Sequence, residues 1–329
     1  PSTSLEPPMT RPRRHVAGQV AALTRRTAGG RFLTRPDANI NAIAAYEFAR
    51  SADRSGVEVH GAVVMSNHVH IVLTDPQARR SEFMRDAMAG FTRARKDFLG
   101  FDGSLWDNGP YCDTVLLDRE VFEIQLLYTL LNPVKAGLVP RAKDWPGFKI
   151  MPSDWEKPMV VERPATYYGD DQPESIEFIP RRPPGYDDMS LEEVVAHFEN
   201  LLREAENEIH REMKKKKRRF LGVKGVLATD PSSCPKKKRR RGEVAPRFAA
   251  FHPELLDQAI ARDRAFRSAY AQVRKRWVQG KKRCVFPSGT LWLRRNAPVK
   301  CREDDPCEAG LAANYQSFGA ASPGARAAS

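Results

Sequence analysis

Two runs of β-branched residues, separated by only two residues, set the strongest limit on the fold. The run VEVHGAVVM covers 57–65 and the run HVHIVLTD covers 68–75, with Ser-Asn between them. β-branched side chains favour strands, and a short polar connection between two such runs predicts a β-hairpin. A lone hairpin is marginally stable in water, so the flanking segments must cover it.

The flanking segments predict helices and further strands. Apolar residues at helical spacing predict three helices, over 39–52, 82–100 and 119–131. Strands are predicted over 15–23 and within SLWDNGPYCDTVLLD, residues 104–118. The order strand, helix, strand, strand, helix, strand, helix predicts an α+β fold: a ferredoxin-like split βαβ antiparallel sheet with covering helices.

His68 and His70 lie inside the second strand of the hairpin, where apolar residues dominate. Alternate side chains of a strand point to the same face, so both imidazoles share one face while Val69 and Ile71 point into the core. Two imidazoles in this arrangement can chelate a cation. The alternative is a pair of structural histidines, because a chain with seven histidines often contains an accidental His-x-His pattern.

Three segments carry a resemblance to a known family. VVMSNHVHIVL (63–73) resembles the Met-Pro-Asn-His-Val-His strand of HUH (histidine, hydrophobic, histidine) single-tyrosine transposases, especially the REP-associated ones of bacteria, with Ser66 in place of the proline. SLWDNGPYCDTVLLD (104–118) and YTLLNPVKAGLV (128–139) are similar to later elements of that family. The resemblance covers 15–155 and implies an HUH nuclease domain there.

The resemblance implies that Tyr128 is a nucleophile. Such enzymes cut single-stranded DNA by attack of a tyrosine oxygen on a backbone phosphorus, which leaves a 5′-phosphotyrosine and a free 3′-hydroxyl. It also implies single-stranded or hairpin DNA as the partner, no small-molecule substrate and a bacterial cytoplasm, near the nucleoid. The alternative for Tyr128 is an aromatic residue packed on an apolar helix.

A phenol has an ordinary pKa of about 10 and needs help at neutral pH, which a divalent metal ion can provide. The resemblance implies Mg²⁺ or Mn²⁺ held by His68, His70 and one oxygen ligand, whereas histidine ligands alone would equally suit zinc or nickel. Asn132 lies four residues after Tyr128, on the same helix face, and is the expected third ligand, with Gln125 as the fallback. Because the residue before a proline avoids helical geometry, Asn132 has the alternative role of ending the helix.

The charge distribution points to a polyanionic partner. The net charge is +13; residues 1–155 hold 20 basic and 17 acidic residues, whereas residues 156–329 hold 34 and 24. Runs of consecutive Lys and Arg give affinity for phosphates without sequence preference, although a solvated helix end is the alternative role for such a run. The expected nucleic-acid-binding residues are two basic runs and a basic face of the second helix: Lys214, Lys215, Lys216, Lys217, Arg218, Arg219, Lys236, Lys237, Lys238, Arg239, Arg240, Arg241, Arg93, Arg95 and Lys96.

Composition changes along the chain predict its organisation. A Pro-, Asp- and Tyr-rich stretch is expected to be a linker, and no apolar run is long enough to span a membrane. The expected parts are a disordered tail (1–14), the transposase-like domain (15–155), the linker (156–189), a mainly helical basic region that binds nucleic acid (190–310) and a disordered tail (311–329). Either a monomer or a homodimer fits this organisation.

The leading hypothesis is a metal-dependent enzyme that nicks and rejoins single-stranded DNA, and two other functions are compatible with these patterns. The first is a catalytically weakened protein that binds repeat hairpins and regulates them. The second is an RNA-binding protein that uses the same fold and the basic runs. A nicking assay on hairpin DNA and a comparison of RNA with DNA separate the three.

Overall fold

The computed structural model describes residues 12–100, 102–165, 167–235, 246–281 and 283–303. Its strands are β1 (Gln19–Arg26), β2 (Glu58–Val64), β3 (His68–Asp75), β4 (Cys112–Leu116), β5 (Lys149–Ile150), β6 (Met159–Glu162), β7 (Ser175–Phe178), β8 (Phe248–Ala249), β9 (Val285–Phe286) and β10 (Lys300–Cys301). Its helices are α1 (Ala38–Ser55), α2 (Arg80–Leu99), α3 (Arg119–Leu130), α4 (Asn132–Lys135), α5 (Leu191–Lys215), α6 (Gly222–Ala228), α7 (Pro253–Val278) and α8 (Leu291–Asn296).

A six-stranded sheet forms the centre, in the order β5-β2-β3-β1-β4-β8. Every neighbouring pair is antiparallel except β4 and β8. The four central strands and the helices α1 and α2 form the βαββαβ arrangement of a split βαβ fold. The expected α+β class with a mainly antiparallel sheet is therefore confirmed.

Local capping explains where the main helices begin and end. The Asp37 side chain accepts a hydrogen bond from Ile40 N at the start of α1, and Gly56 ends α1 in the left-handed conformation with φ of 68°. The Asp118 side chain accepts from Val121 N at the start of α3. These caps fix the ends of the segments that cover the sheet.

The two faces of the sheet carry separate cores. Odd-numbered residues of β3, such as Val69 and Ile71, pack with α1 and α2. Val72 of β3 lies on the other face and packs with α3, α4 and α5. Because strand residues alternate between faces, His68 and His70 lie on the face that α3 covers.

One expected boundary differs from the structure. The first strand runs over Gln19–Arg26 instead of 15–23, since Gly18 takes a positive φ of 77° before it. The third helix, predicted over 119–131, ends at Leu130, and Pro133 occupies the first turn of α4, where a missing backbone N–H costs nothing. Asn132 therefore begins a new helical turn.

The segment 156–189, expected to be a linker, is packed in the structure. β6 and β7 form an antiparallel hairpin beside α1, and Phe178 belongs to the core between α1, α2 and the sheet. Tyr186 is buried in the core on the α3 side. The prolines and acidic residues that predicted a linker occur in the turns around these buried aromatic residues.

The second half also contributes to the α3-side core, rather than forming only a separate region. Phe198 of α5 packs edge-to-face against Trp155, with ring centroids 5.2 Å apart, and against Tyr186 at 5.4 Å. Leu255 of α7 packs on Val115 and Leu117 of the sheet edge. Within the described ranges, no helix is long and apolar enough to cross a membrane.

Candidate active site

The candidate site is built at the start of β3. In the antiparallel pairing of β1 with β3, Thr24 lies opposite His70 and Arg26 lies opposite His68. Cross-strand partners share a face, so all four side chains point toward the layer that contains α3 and α4. His70 is buried at 7% exposure, and His68 is partly exposed.

Neighbouring side chains fix which nitrogen of His68 carries hydrogen. Asn67 Nδ2 donates to the Gly30 carbonyl at 3.1 Å, which leaves Asn67 Oδ1 facing His68 Nδ1 at 2.7 Å. An amide oxygen only accepts, so His68 Nδ1 donates and Nε2 keeps its lone pair. Asn67 therefore orients an imidazole as well as holding the turn before β3.

His70 has the same arrangement. His70 Nδ1 lies 2.9 Å from Thr24 Oγ1, and His70 Nε2 lies 3.1 Å from Asn132 Nδ2. Because the amide nitrogen donates, Nε2 accepts, and Nδ1 donates to the threonine oxygen. Both imidazoles thus direct an unprotonated Nε2 toward Asn132.

The Asn132 amide lies between the two imidazoles. Its Oδ1 is 3.2 Å from His68 Nε2, while its Nδ2 faces His70. An amide has one donor end and one acceptor end, so rotating it by 180° only changes which imidazole meets the oxygen. One Nε2 lone pair always faces the amide oxygen. Two nitrogen atoms and one oxygen atom converging in this way form a donor set that suits a divalent cation.

Burial keeps both imidazoles neutral. It lowers the pKa of His68 to about 4, although the hydrogen bond that a protonated Nε2 would donate to Asn132 Oδ1 raises this pKa. Burial also lowers the pKa of His70 well below its ordinary value, and the neighbouring His68 and Arg26 lower it further. A metal ligand must be unprotonated, so this environment prepares both nitrogens at neutral pH.

Tyr128 projects from α3 beside these groups. Its ring centroid lies 5.6 Å from that of His70 at an interplanar angle of 87°, and its side chain is 44% exposed. Asn132 Nδ2 also lies 3.3 Å from the Tyr128 carbonyl, which ties the start of α4 to α3. The phenol is therefore accessible to a ligand and adjacent to the imidazoles, not packed in the core.

Lys135 of α4 places a positive charge at the same ring. Its Nζ lies 5.1 Å from the Tyr128 ring centroid, and the side chain is exposed. No carboxylate among the described residues forms an ion pair with Lys135. The sequence pattern did not single out this lysine or Thr24, because both depend on how β1, β3 and α4 come together.

The other predicted residues have different surroundings. Gln125 is partly buried on α3 and makes no hydrogen bond to either imidazole within the described part of the chain. Arg95 was expected on a DNA-binding face, but it is buried and paired with Asp37 at 3.4 Å. Arg93 and Lys96 lie with Arg95 on α2, on the opposite side of the sheet from Tyr128. The prediction for Arg95 is wrong, since its charge is used to hold the loop before α1.

The first basic run, Lys214–Arg219, is fully exposed at the end of α5. Leu221 N and Gly222 N donate to the carbonyls of Gly137 and Leu138. The residues that follow the run therefore contact the segment that follows α4. An exposed cationic surface therefore lies next to the helix that carries Asn132. The second run, Lys236, Lys237, Lys238, Arg239, Arg240 and Arg241, lies outside the described residues.

No group of three or more His, Cys, Asp and Glu side chains suited to a metal occurs among the described residues. The donor set at this site is of a different kind, because its third member is an amide. A search for charged ligands alone would therefore overlook it.

The solved structures that are similar to this chain include two that are described as transposases. One is a REP-associated tyrosine transposase bound to a REP hairpin, with 18% identity, a TM-score of 0.37 and coverage of 52% of this chain and 99% of that chain. The other is a candidate transposase from Deinococcus radiodurans R1, with 21% identity, a TM-score of 0.24 and coverage of 32% and 84%. No protein-family model and no curated protein matches the chain.

Proposed function

We propose that this protein is a DNA strand transferase that nicks and rejoins single-stranded DNA, including hairpin-flanked DNA, through a covalent bond to Tyr128. The observation that carries the proposal is the convergence of two unprotonated imidazole nitrogens and the Asn132 oxygen beside an exposed phenol. A structural pair of histidines would not need a reactive side chain at this position.

The residues fit a divalent metal ion. His68 Nε2, His70 Nε2 and Asn132 Oδ1 would hold it, and Mg²⁺ or Mn²⁺ is the ion that we propose. When bound, such an ion polarises a phosphate oxygen and neutralises negative charge that develops during phosphoryl transfer. Asn67 and Thr24 would keep both ligands in the required orientation.

In the proposed reaction, the Tyr128 oxygen attacks a backbone phosphorus. The new phosphorus–oxygen bond to Tyr128 forms while the bond to the 3′ oxygen of the preceding nucleotide breaks, and the phenol proton leaves to solvent as the 3′ oxygen gains one. The products are a 5′-phosphotyrosine and a free 3′-hydroxyl. Attack by a 3′-hydroxyl on this linkage reverses the step, so the strands rejoin without a further energy source.

Two groups of cations would serve the substrate. Lys135, above the Tyr128 ring, favours negative charge on the attacking oxygen and on the nearby phosphate. The exposed run Lys214–Arg219 would bind backbone phosphates of the DNA strand that approaches α4. The first group acts on the reaction and the second on affinity.

The test is covalent adduct formation with a labelled single-stranded hairpin oligonucleotide. With Mg²⁺ or Mn²⁺ we expect a protein–DNA adduct that resists denaturation, whereas chelation of the metal prevents it. Tyr128→Phe should abolish the adduct and retain DNA binding. Tyr111→Phe, which removes a phenol elsewhere, should leave adduct formation unchanged.

Three outcomes would contradict the proposal. Metal-independent binding without any adduct would identify a hairpin-binding regulator. Stronger binding to an RNA hairpin of the same sequence would indicate an RNA-binding protein. An adduct that survives Tyr128→Phe would assign the nucleophile to another residue.

A further inference from the structure

A cleft of about 400 Å³ lies between α1 and α2, on the opposite side of the sheet from Tyr128. Four arginines line it, together with one carboxylate and one amide: Arg50, Arg54, Arg85, Arg93, Asp86 and Gln172. Guanidinium groups present several N–H donors in a plane, and this geometry matches phosphate oxygens. The cleft thus differs in chemistry from the neutral donor set at the candidate active site.

The floor of the cleft is preorganised. Glu47 is fully buried and accepts hydrogen bonds from Arg50 Nη2 at 2.8 Å and from the Tyr168 hydroxyl at 2.7 Å. Arg50 Nη1 donates to Gln172 Oε1 at 2.6 Å, so the guanidinium is held at both ends. A Cβ atom at Gly90 would collide with the Glu47 carboxylate, so a larger residue at this position would displace that carboxylate from its hydrogen bonds.

The charges in the cleft do not cancel. Glu47 balances Arg50, and Asp86 pairs with Arg85 at 2.7 Å. Arg54 and Arg93 are exposed and form no ion pair with a carboxylate in the described part of the chain, while Arg93 Nε donates to the Tyr167 hydroxyl. Two cations at the cleft opening therefore remain available to an anion.

We propose that this cleft is a second binding site, which takes phosphates of the DNA backbone away from the strand that reacts at Tyr128. The assignment to DNA rests on the proposed function, whereas the affinity for phosphate rests on the arginines alone. The cleft opens at the surface, and its walls have Ala89 as their only small apolar side chain among the described lining residues, so it is not shaped to enclose a small organic molecule.

Tyr167 supports a nucleic acid as the source of the phosphate. Its ring is 42% exposed next to Arg93, where it can stack on an unpaired base. The sheet separates this cleft from the imidazoles, so one oligonucleotide can occupy both sites only by passing around the edge of the domain. A folded hairpin with a single-stranded extension has both the duplex and the length for this.

The experiment measures binding of a hairpin oligonucleotide with a single-stranded extension to the full chain carrying Tyr128→Phe, so that no cleavage occurs. Arg54→Ala with Arg93→Ala is compared with Lys143→Ala and Lys157→Ala, which remove two exposed cations from the segments before and after β5. We expect the cleft pair to make the negative slope of log affinity against log salt shallower by about 2 and the control pair to leave it unchanged.

Two kinds of binding result would overturn the proposal. An unchanged slope, or an equal decrease in the control pair, would show that the cleft holds no backbone phosphate. Tight binding of inorganic phosphate to the cleft, with hairpin affinity unaffected by the variants, would assign it to a free phosphate. A failure of adduct formation by the protein with Tyr128 intact contradicts the proposed function instead, and leaves this binding measurement independent.

Discussion

The two faces of the central sheet carry side chains in different charge states. On the α3 side, burial keeps His68 and His70 neutral, and their lone pairs converge on Asn132. On the α1 and α2 side, arginines keep their charge and lie at an open cleft. The sheet therefore separates a neutral, buried donor set from an open, positively charged cleft.

Removing the proposed metal ligands on the α3 side should have the largest effect on the rate of adduct formation. For His68→Ala with His70→Ala, we expect the rate of metal-dependent adduct formation to fall by roughly a thousandfold, because a bound ion contributes several kcal/mol of transition-state stabilisation. Single-turnover measurements with labelled DNA check this. DNA affinity should stay within about twofold, since the phosphate contacts lie elsewhere.

The third ligand provides the matched control. Asn132→Ala should reduce the rate as strongly as loss of an imidazole, whereas Gln125→Ala should have little effect, because only Asn132 contacts both imidazoles. The reverse result would make Gln125 the ligand and would show that Asn132 only begins α4.

A pair of threonines tests whether the supporting contacts matter. Thr24 Oγ1 contacts His70 Nδ1 at 2.9 Å, and Thr74 Oγ1 contacts His60 Nε2 at 2.7 Å on the same sheet. Thr24→Val should weaken metal binding by about 10- to 100-fold, as loss of an outer-shell hydrogen bond does. Titration calorimetry with Mn²⁺ measures this, and an equal loss in Thr74→Val would show a general effect on the fold.

Lys135 should have a moderate effect on rate. Lys135→Ala removes a charge 5.1 Å from the Tyr128 ring, and we expect adduct formation to slow by about tenfold with unchanged DNA affinity. Lys135→Arg should restore most of the rate because it keeps the charge. A loss of affinity at a constant rate would place Lys135 with the cations that bind the backbone.

Acid should destabilise the imidazole-bearing face, with the smallest effect. Burial lowers the pKa of His60 to about 4, so the unfolded chain binds a proton first and the free energy of unfolding falls as the pH decreases below about 6.5. Between pH 7 and 5.5 His60 should contribute a loss of about 1 kcal/mol. Urea unfolding of wild type and His60→Gln checks this, and an equal loss in both proteins would contradict it.

Much of this site was predictable from the sequence because its spacing follows regular geometry. His68 and His70 lie two residues apart in a strand, and Tyr128 and Asn132 lie four apart. Pro133 suggested that Asn132 could end the helix, yet a proline also fits the first turn of a helix, and α4 begins there. Local rules allowed both outcomes, and packing against β3 decided between them.

Features that depend on the assembly of distant segments were not predictable. Thr24 supports His70 only through the register of β1 with β3. Arg95 has the same charge as the exposed Arg93, and only the folded structure shows that Arg95 is buried and paired with Asp37. The Pro-rich composition of 156–189 likewise gave no sign that Phe178 and Tyr186 belong to two different cores.

The contact between Phe198 and Trp155 has a consequence for how the protein is made. The motif-bearing residues and Trp155 leave the ribosome before α5. This helix, which covers Trp155 through Phe198, ends at Lys215, 60 residues after Trp155. At about 5–20 residues per second, the nascent chain exposes this surface for about 3–12 s. Protease digestion of arrested nascent chains should detect the exposure before Lys215 and its disappearance afterwards. The aromatic surface around Trp155 is therefore covered only after the second half has been made.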